Sequence, residues 1–275
     1  MTNQESSMVD AQRNNVGTVY YRQRSIMLLA FSVVIAANDK TFQRPSIRLV
    51  IGLDDPVTLG FRDGSRQAYS AVLLSPDAGL CEVQAQNNNV VMLDVVAGTE
   101  EYVALQSYLD GRDRVVCEGL HLAPFRDSFP RGQSGHLSCD EVFQTIQRLV
   151  VSVTGTRIAP LELDHRVVTT LQMIEALPLS EINLATLSKA ANLSSDRFRH
   201  LFKEVTGCTV SQYSRQTALW RALEQITNGS SVTEAAQTAG FHDVSHLYRA
   251  YYEVFGVSLS EKNNPRKFKR VRCFC

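Results

Sequence analysis

The C-terminal third of this 275-residue chain carries one pattern twice, and an internal repeat of this kind leaves few folds open. Leu184 to Ala191, the break Asn192-Leu193-Ser194, and Ser195 to Thr206 form one set; Val232 to Ala239, the break Gly240-Phe241-His242, and Asp243 to Phe255 form the other. Each set reads as a short helix, a tight turn and a second helix, the helix-turn-helix plan. Pro178, Gly207, Asn228-Gly229 and Gly256 punctuate the same stretch. Between the sets, Val210 to Ile226 reads as one continuous helix bearing Tyr213, Leu219, Trp220, Leu223 and Ile226. A rigid spacer of that kind sets two recognition helices roughly 34 Å apart, so that both enter successive major grooves on one face of a duplex.

The helix faces sharpen this expectation. In the first set Phe198, Leu201, Phe202 and Val205 point inward, which leaves Asp196, Arg199, His200 and Lys203 on the opposite stripe. Arginine takes guanine O6 and N7 bidentately, so Arg199 suits base reading, and Lys203, a turn further on, suits a phosphate. In the second set Leu247, Tyr251 and Val254 face the core, with Ser245, His246 and Arg249 outward and Val244 near the helix start, placed for a thymine methyl. One amphipathic helix alone is more often an ordinary solvated face. Two of them at matching distance from a turn favour a DNA-binding surface.

Charge agrees with this division. The chain is neutral overall, but before Asp164 there are 14 Lys+Arg against 18 Asp+Glu, net −4, and from Asp164 onward 14 against 10, net +4. A basic C-terminal part attracts a polyanion, whereas an acidic N-terminal part suits sensing or assembly. Six basic residues between Lys262 and Arg272 add an expectation of non-specific phosphate contacts and steep salt dependence. The six cysteines, at 81, 117, 139, 208, 273 and 275, show no metal-ligand spacing and read as reduced thiols, with Cys-Phe-Cys at the C-terminus as a frayed tail. Met1 to Gly17 lacks the apolar core of a signal peptide. The longest apolar run, Ile26 to Ala37, falls short of the ~20 residues a spanning helix needs. The expectation is a cytoplasmic protein without a membrane segment.

The N-terminal part reads as β-rich from Thr18 to about Ala97, with apolar runs at Ile26 to Ala36, Ser46 to Leu53, Val57 to Arg62, Tyr69 to Leu74 and Val90 to Ala97. Asp63-Gly64 reads as a hairpin turn, Asp54-Asp55-Pro56 and Ser75-Pro76-Asp77 as loops, and Asn87-Asn88-Asn89 as a tight connection. A helix begins after Thr99, with Tyr102, Leu105, Gln106 and Leu109 on one face and Gly111 as its stop. A stronger helix spans Ser138 to Val153, where Val142, Ile146, Leu149 and Val153 recur at coiled-coil intervals. Those four residues either pack on their own domain or form a homodimer interface.

The residues that carry the C-terminal signal resemble the AraC/XylS family: Leu201-Phe-Lys203 followed by Thr206-Gly207, Arg221-Ala222, Ala239-Gly-Phe241, Ser245-His246-Leu247 and Phe255-Gly-Val257. The match covers about residues 164 to 262. Val210 and Leu259 depart from it, standing where the family usually has proline, and so do Ala235, Trp220 and Asp196. Carried over by position, the family's base-facing sites fall on Asp196, Arg199 and His200, and on Val244, Ser245, His246 and Arg249. More weakly, Ile47 to Asp54 and Ala71 to Pro76 resemble the family's cupin-like sensor barrel.

The resemblance implies an α+β chain with an N-terminal cupin-like β-barrel with flanking helices and a C-terminal all-α domain with two helix-turn-helix motifs. The domain expectation is a disordered tail at 1–17, a sensor and dimerisation domain at 18–155, a linker at 156–163 and a DNA-binding domain at 164–275. Double-stranded promoter DNA is the implied partner, with RNA polymerase beside it, an activator role, and a small-molecule effector for the barrel. No cofactor is expected. A metal-dependent cupin needs a histidine cluster with an acid, and this domain offers only His121 and His136. The competing readings are a cupin-type enzyme with a DNA-binding appendage and a protein-interaction adaptor with degenerate DNA contacts.

Overall fold

The computed structural model describes residues 17–22, 25–36, 46–159, 164–255 and 268–273. They form two compact units, 17–159 together with 268–273, and 164–255. The expected disordered tail lies, except for Gly17, outside the described residues, as do residues 160–163 of the expected linker, Gly256 and the basic positions 262–267.

The first unit is a sheet of β1 (Gly17–Arg22), β2 (Ser25–Ala36), β3 (Ser46–Gly52), β4 (Val57–Phe61), β5 (Arg66–Tyr69), β6 (Ala71–Leu74), β7 (Leu80–Val96), β8 (Arg114–Val116) and β9 (Phe268–Cys273). The strand order is β8-β6-β3-β7-β2-β1-β9, with β4 paired to the first half of β7 and β5 to β4. Every described pairing is antiparallel except that of β1 with β9, which is parallel, Gly17 opposite Phe268 and Arg22 opposite Cys273. The last strand therefore belongs to the sheet unit and does not extend the helical one. Cys273 is buried in it rather than frayed.

Asn87-Asn88-Asn89 is not a connection: β7 runs through it for 17 residues. Asn87 takes a left-handed φ of 53°, opposite Ser32 at 54° in β2, and its amide donates to Ser32 Oγ at 3.3 Å. The pair forms a bulge that bends both long strands. The Asn88 side chain turns inward, accepting from the Asp54 and Asp55 amides and donating to Asp55 O. Asparagine triplets read as turns because the side chain can replace backbone partners, and here that ability holds a neighbouring loop. The expected run Tyr69 to Leu74 likewise splits at Ser70 between β5 and β6.

Three helices cover one face of the sheet: α1 (Glu100–Leu109), α2 (Ser128–Gln133) and α3 (Cys139–Thr154). Thr99 caps α1, whose buried residues are Tyr102, Leu105 and Leu109 while Gln106 is exposed. The left-handed residue Asp110 ends it, one place before the expected Gly111. Gly132 of α2 sits against Leu29, and Tyr20 donates to the Gly132 carbonyl at 2.8 Å. Burial pushes the Tyr20 phenol up to about 12. Helix α3 starts with a capping box, Ser138 and Glu141. Val142, Ile146, Leu149 and Val153 are 0–6% exposed, because the apolar stripe of α3 lies on its own domain. These side chains are thus core residues of their own domain, the first of the two readings their spacing allows.

The sheet's other face holds a buried ion pair. Arg48 on β3 is directly opposite Asp94 on β7, and its Nε and Nη2 donate to the two carboxylate oxygens at 2.8 and 2.6 Å. Ile26, Leu28, Val50, Val72 and Met92, all buried, share that face by register.

The second unit is all-helical: α4 (His165–Ala176), α5 (Leu184–Ala190), α6 (Ser195–Thr206), α7 (Val210–Thr227), α8 (Val232–Thr238) and α9 (Val244–Phe255). Its core gathers Val167, Leu171, Ile174, Phe198, Phe202, Tyr213, Leu219, Leu247 and Tyr251. At 1.5 Å per residue the 18 residues of α7 extend about 27 Å, and α7 touches α4 and α6 as well as α8 and α9. Arg221 on α7 donates to the Leu177 and Glu175 carbonyls at 2.7 and 2.6 Å, which satisfies the orphan acceptors ending α4. Arg215 of the same helix pairs with Glu253 of α9 at 3.0 Å.

Candidate nucleic-acid interface

The two helix-turn-helix units are built alike down to their turn hydrogen bonds. In the first, the amides of Ala191, Asn192 and Leu193 donate to the carbonyls of Leu187, Lys189 and Ser188; in the second, those of Ala239, Gly240 and Phe241 donate to Ala235, Gln237 and Ala236. The left-handed residue falls at the same place, Asn192 at φ 53° and Gly240 at φ 82°. Asparagine and glycine are the residues that bear this conformation at least cost. Gly240 is further constrained by the Pro178–Ser180 backbone, which leaves no room for a Cβ, and Leu179 N donates to Ala239 O at 3.0 Å. The stretch before α5 thereby seats against the second turn.

Each second helix is capped where the turn ends. Ser194 accepts from the Arg197 amide, and Asp243 Oδ1 from the His246 amide at 2.6 Å. That bond, followed by His242, holds the Asp243 carboxyl below its ordinary value.

Asp196, Arg199, His200 and Lys203 are all exposed along α6, opposite Phe198 and Phe202, which are fully buried. Leu201 and Val205, expected inward, are half-buried flanks. Arg199 Nη1 pairs with Asp196 Oδ1 at 2.8 Å, both side chains being more than half exposed. On α9 Ser245 and Arg249 are exposed, while Val244 and His246 are half-buried. His246 lies edge-on against Phe241, 5.1 Å between ring centroids, so it presents less surface than its position on the stripe suggests.

The second turn is one residue longer than the first. Aligning the two helices on their buried residues pairs Phe198 with Leu247 and Phe202 with Tyr251, which sets Arg199 against Tyr248 and His200 against Arg249. Tyr248 is exposed and occupies the centre of the second stripe, a position that sequence reasoning passed over. The signal was present in the repeat, but it appears only when the extra turn residue is allowed for. Arg197, also exposed in the first turn of α6, was missed in the same way.

Among the described residues, no group of three or more His, Cys, Asp and Glu is placed to hold a metal, and no helix is long and apolar enough to cross a membrane.

A family model described as a helix-turn-helix domain matches residues 187–264. No curated protein sequence matches the chain. Among solved structures, apo ToxT carrying one substitution, from Vibrio cholerae strain SCE256, superposes with a TM-score of 0.55 at 10% identity, covering 88% of this chain and 98% of that one. ToxT from Vibrio cholerae O395 gives 0.53 at 13% identity, with 88% and 97% covered. Wild-type ToxT of strain SCE256 bound to an unsaturated fatty acid gives 0.54 at 12%, with 88% and 96% covered. At such identities the likeness is one of fold: an N-terminal antiparallel sheet unit followed by a helical unit with two helix-turn-helix motifs. The helix-turn-helix family match, lying on the duplicated turn, supports a DNA-binding transcription regulator. The family match lies on the residues that carry the AraC/XylS resemblance, so the likeness to that family is carried by residues 187–264.

Proposed function

We propose that this chain binds a bipartite promoter site through both units, α6 and α9 lying in successive major grooves. The observation that carries the reading is the pair of matched turns, each followed by a capped helix with one buried and one exposed stripe. Arg199 and Arg249 read bases, most simply guanine, Lys203 contacts a phosphate, and Val244 packs on a thymine methyl. Asp196, His200, Ser245 and His246 complete the two stripes. Asp196 holds Arg199 before DNA arrives and is itself able to accept from cytosine N4.

In this reading residues 164–255 form the DNA-binding domain and the sheet unit is the controlling domain, responsive to a small-molecule effector. A fatty-acid-bound form of ToxT, which shares the fold, supports effector control. The family resemblance supports an activator that works beside RNA polymerase. Any homodimer uses a surface other than the stripe of Val142, Ile146, Leu149 and Val153.

The test is a genome-wide binding selection with purified full-length protein at a stated salt concentration, with and without a metabolite mixture. The expected result is a common site with two conserved blocks about one helical turn apart. Arg199→Ala and Arg249→Ala should each weaken specific binding by about 1–3 kcal/mol. Failure to enrich any sequence, or equal losses on selected and random DNA, would refute base reading.

A further inference from the structure

Beside α6 the helical unit carries a cleft of about 540 Å³. One wall is apolar: Leu179, Ile182 and Leu184 from the stretch leading into α5, with Val210 from the first turn of α7. All four are only half-buried, so apolar surface faces the opening. The rim carries the cations Arg199 and Lys203 with the His200 imidazole beside them, Asp196 being already engaged by Arg199. The cleft is also lined by Ser214, which is 2% exposed and whose hydroxyl has no hydrogen-bond partner among the described residues.

A surface that only tracked DNA phosphates would have no use for an apolar wall. A cavity in the range of about 300–1,000 Å³ with apolar walls and a few convergent polar groups has the form of a small-molecule site. The charge on the rim selects the ligand's head, and the wall selects its body.

We propose that this cleft binds a small amphipathic organic anion, and that bound anion and bound DNA exclude one another. The exclusion rests on reading α6 as a recognition helix, because the ligand's head takes the cations that face the duplex. The binding does not depend on that reading. The site would make the DNA-reading unit itself responsive to a metabolite, independently of any ligand of the sheet unit.

The experiment uses the full chain and octanoate, with octanamide as a neutral control of the same shape. Methyl NMR follows Ile182, Leu184 and Val210, and fluorescence anisotropy follows displacement of a labelled duplex from the selection above. Octanoate should shift those methyls, bind at least ten-fold more tightly than octanamide, and release the duplex. Ile182→Gln, at a half-buried position outside the DNA-facing stripe, should weaken octanoate at least ten-fold while duplex affinity without octanoate is kept. Val210→Thr serves as a second variant, a change of nearly the same shape that puts a hydroxyl in the apolar wall without adding charge. Equal binding of octanoate and octanamide, no methyl shift at millimolar octanoate, or unchanged octanoate affinity in both variants would overturn the proposal. Octanoate binding without release of the duplex would overturn the exclusion. Duplex binding with no octanoate binding would sink this inference alone, and loss of duplex recognition in the parent chain would sink the functional reading instead.

Discussion

Gly240→Ala tests whether the second turn depends on the contact that seats the two helix-turn-helix units together. The position has φ 82°, and an added Cβ would also meet Ser180 N at 2.8 Å and Pro178 Cβ at 2.9 Å. A left-handed alanine costs about 1–2 kcal/mol. Making room pulls Leu179 N from Ala239 O, worth about 1 kcal/mol, and forces a repacking of about 1–3 kcal/mol. The sum is about 3–6 kcal/mol, a large share of the roughly 5–15 kcal/mol that holds a domain together. Gly229→Ala is the control: its φ is 98°, but nothing lies within 4 Å of an added Cβ, so only the strain of about 1–2 kcal/mol applies. The chain's single tryptophan, Trp220, lies on α7, so its fluorescence during urea unfolding reports on the helical unit. The midpoint should fall by about 2 M or more for Gly240→Ala against about 1 M for Gly229→Ala. Equal shifts in the two variants would refute the reasoning, since the packing contact would then contribute nothing beyond the backbone strain.

In the sheet unit, Asp94→Ala removes the carboxylate that takes both Nε and Nη2 of the buried Arg48 and should cost about 3–5 kcal/mol by circular-dichroism melts, whereas the double replacement Arg48→Met with Asp94→Leu should recover most of it. A negligible single-variant loss would mean that Arg48 finds water. The Glu141 carboxyl is held down at about 2, first by the Arg131 guanidinium and then by the Ser138 amide and hydroxyl. A depressed carboxylate contributes stability that is complete above its unfolded value of 4.5 and is lost as pH falls through about 2. Glu141→Gln should therefore flatten the acid side of the melting-temperature profile, and an unchanged slope would count against the pairing. Ile146→Asp places an unpaired charge among core residues and should unfold the sheet unit; a folded variant of halved mass by ultracentrifugation would restore α3 as a subunit interface.

The helical unit was legible because its signals are local. Caps such as Ser194 and Asp243, the left-handed positions Asn192 and Gly240, and the periodicity of Phe198, Phe202, Leu247 and Tyr251 each state within a few residues what the chain must do. The sheet was less legible because its decisive pairings join residues far apart. Nothing near Asn87 distinguishes a turn from a bulge until Ser32 is opposite it. Nothing near Arg48 reveals Asp94, and nothing in the basic C-terminal segment names β1 as its partner. The α3 stripe shows the limit of periodicity: Val142, Ile146, Leu149 and Val153 had to be covered, but their spacing is the same whether a second subunit or their own sheet covers them. On the exposed stripes, Arg199 and Arg249 were picked out by face and residue type, and both side chains are exposed. Tyr248, exposed beside Arg249, was passed over because one extra turn residue shifts the second unit's register.

The return of β9 to the side of β1 has a consequence for proteolysis. The helical unit is joined to the sheet unit by two stretches of chain, one after residue 159 and one before residue 268. A protease that cuts only one of them leaves the helical unit attached through the other, and the β1 and β9 ladder keeps the fragments together until the sheet is denatured. Release of the helical unit requires both cuts, so limited digestion should show nicked chains that run as one species in native conditions and as two under denaturation.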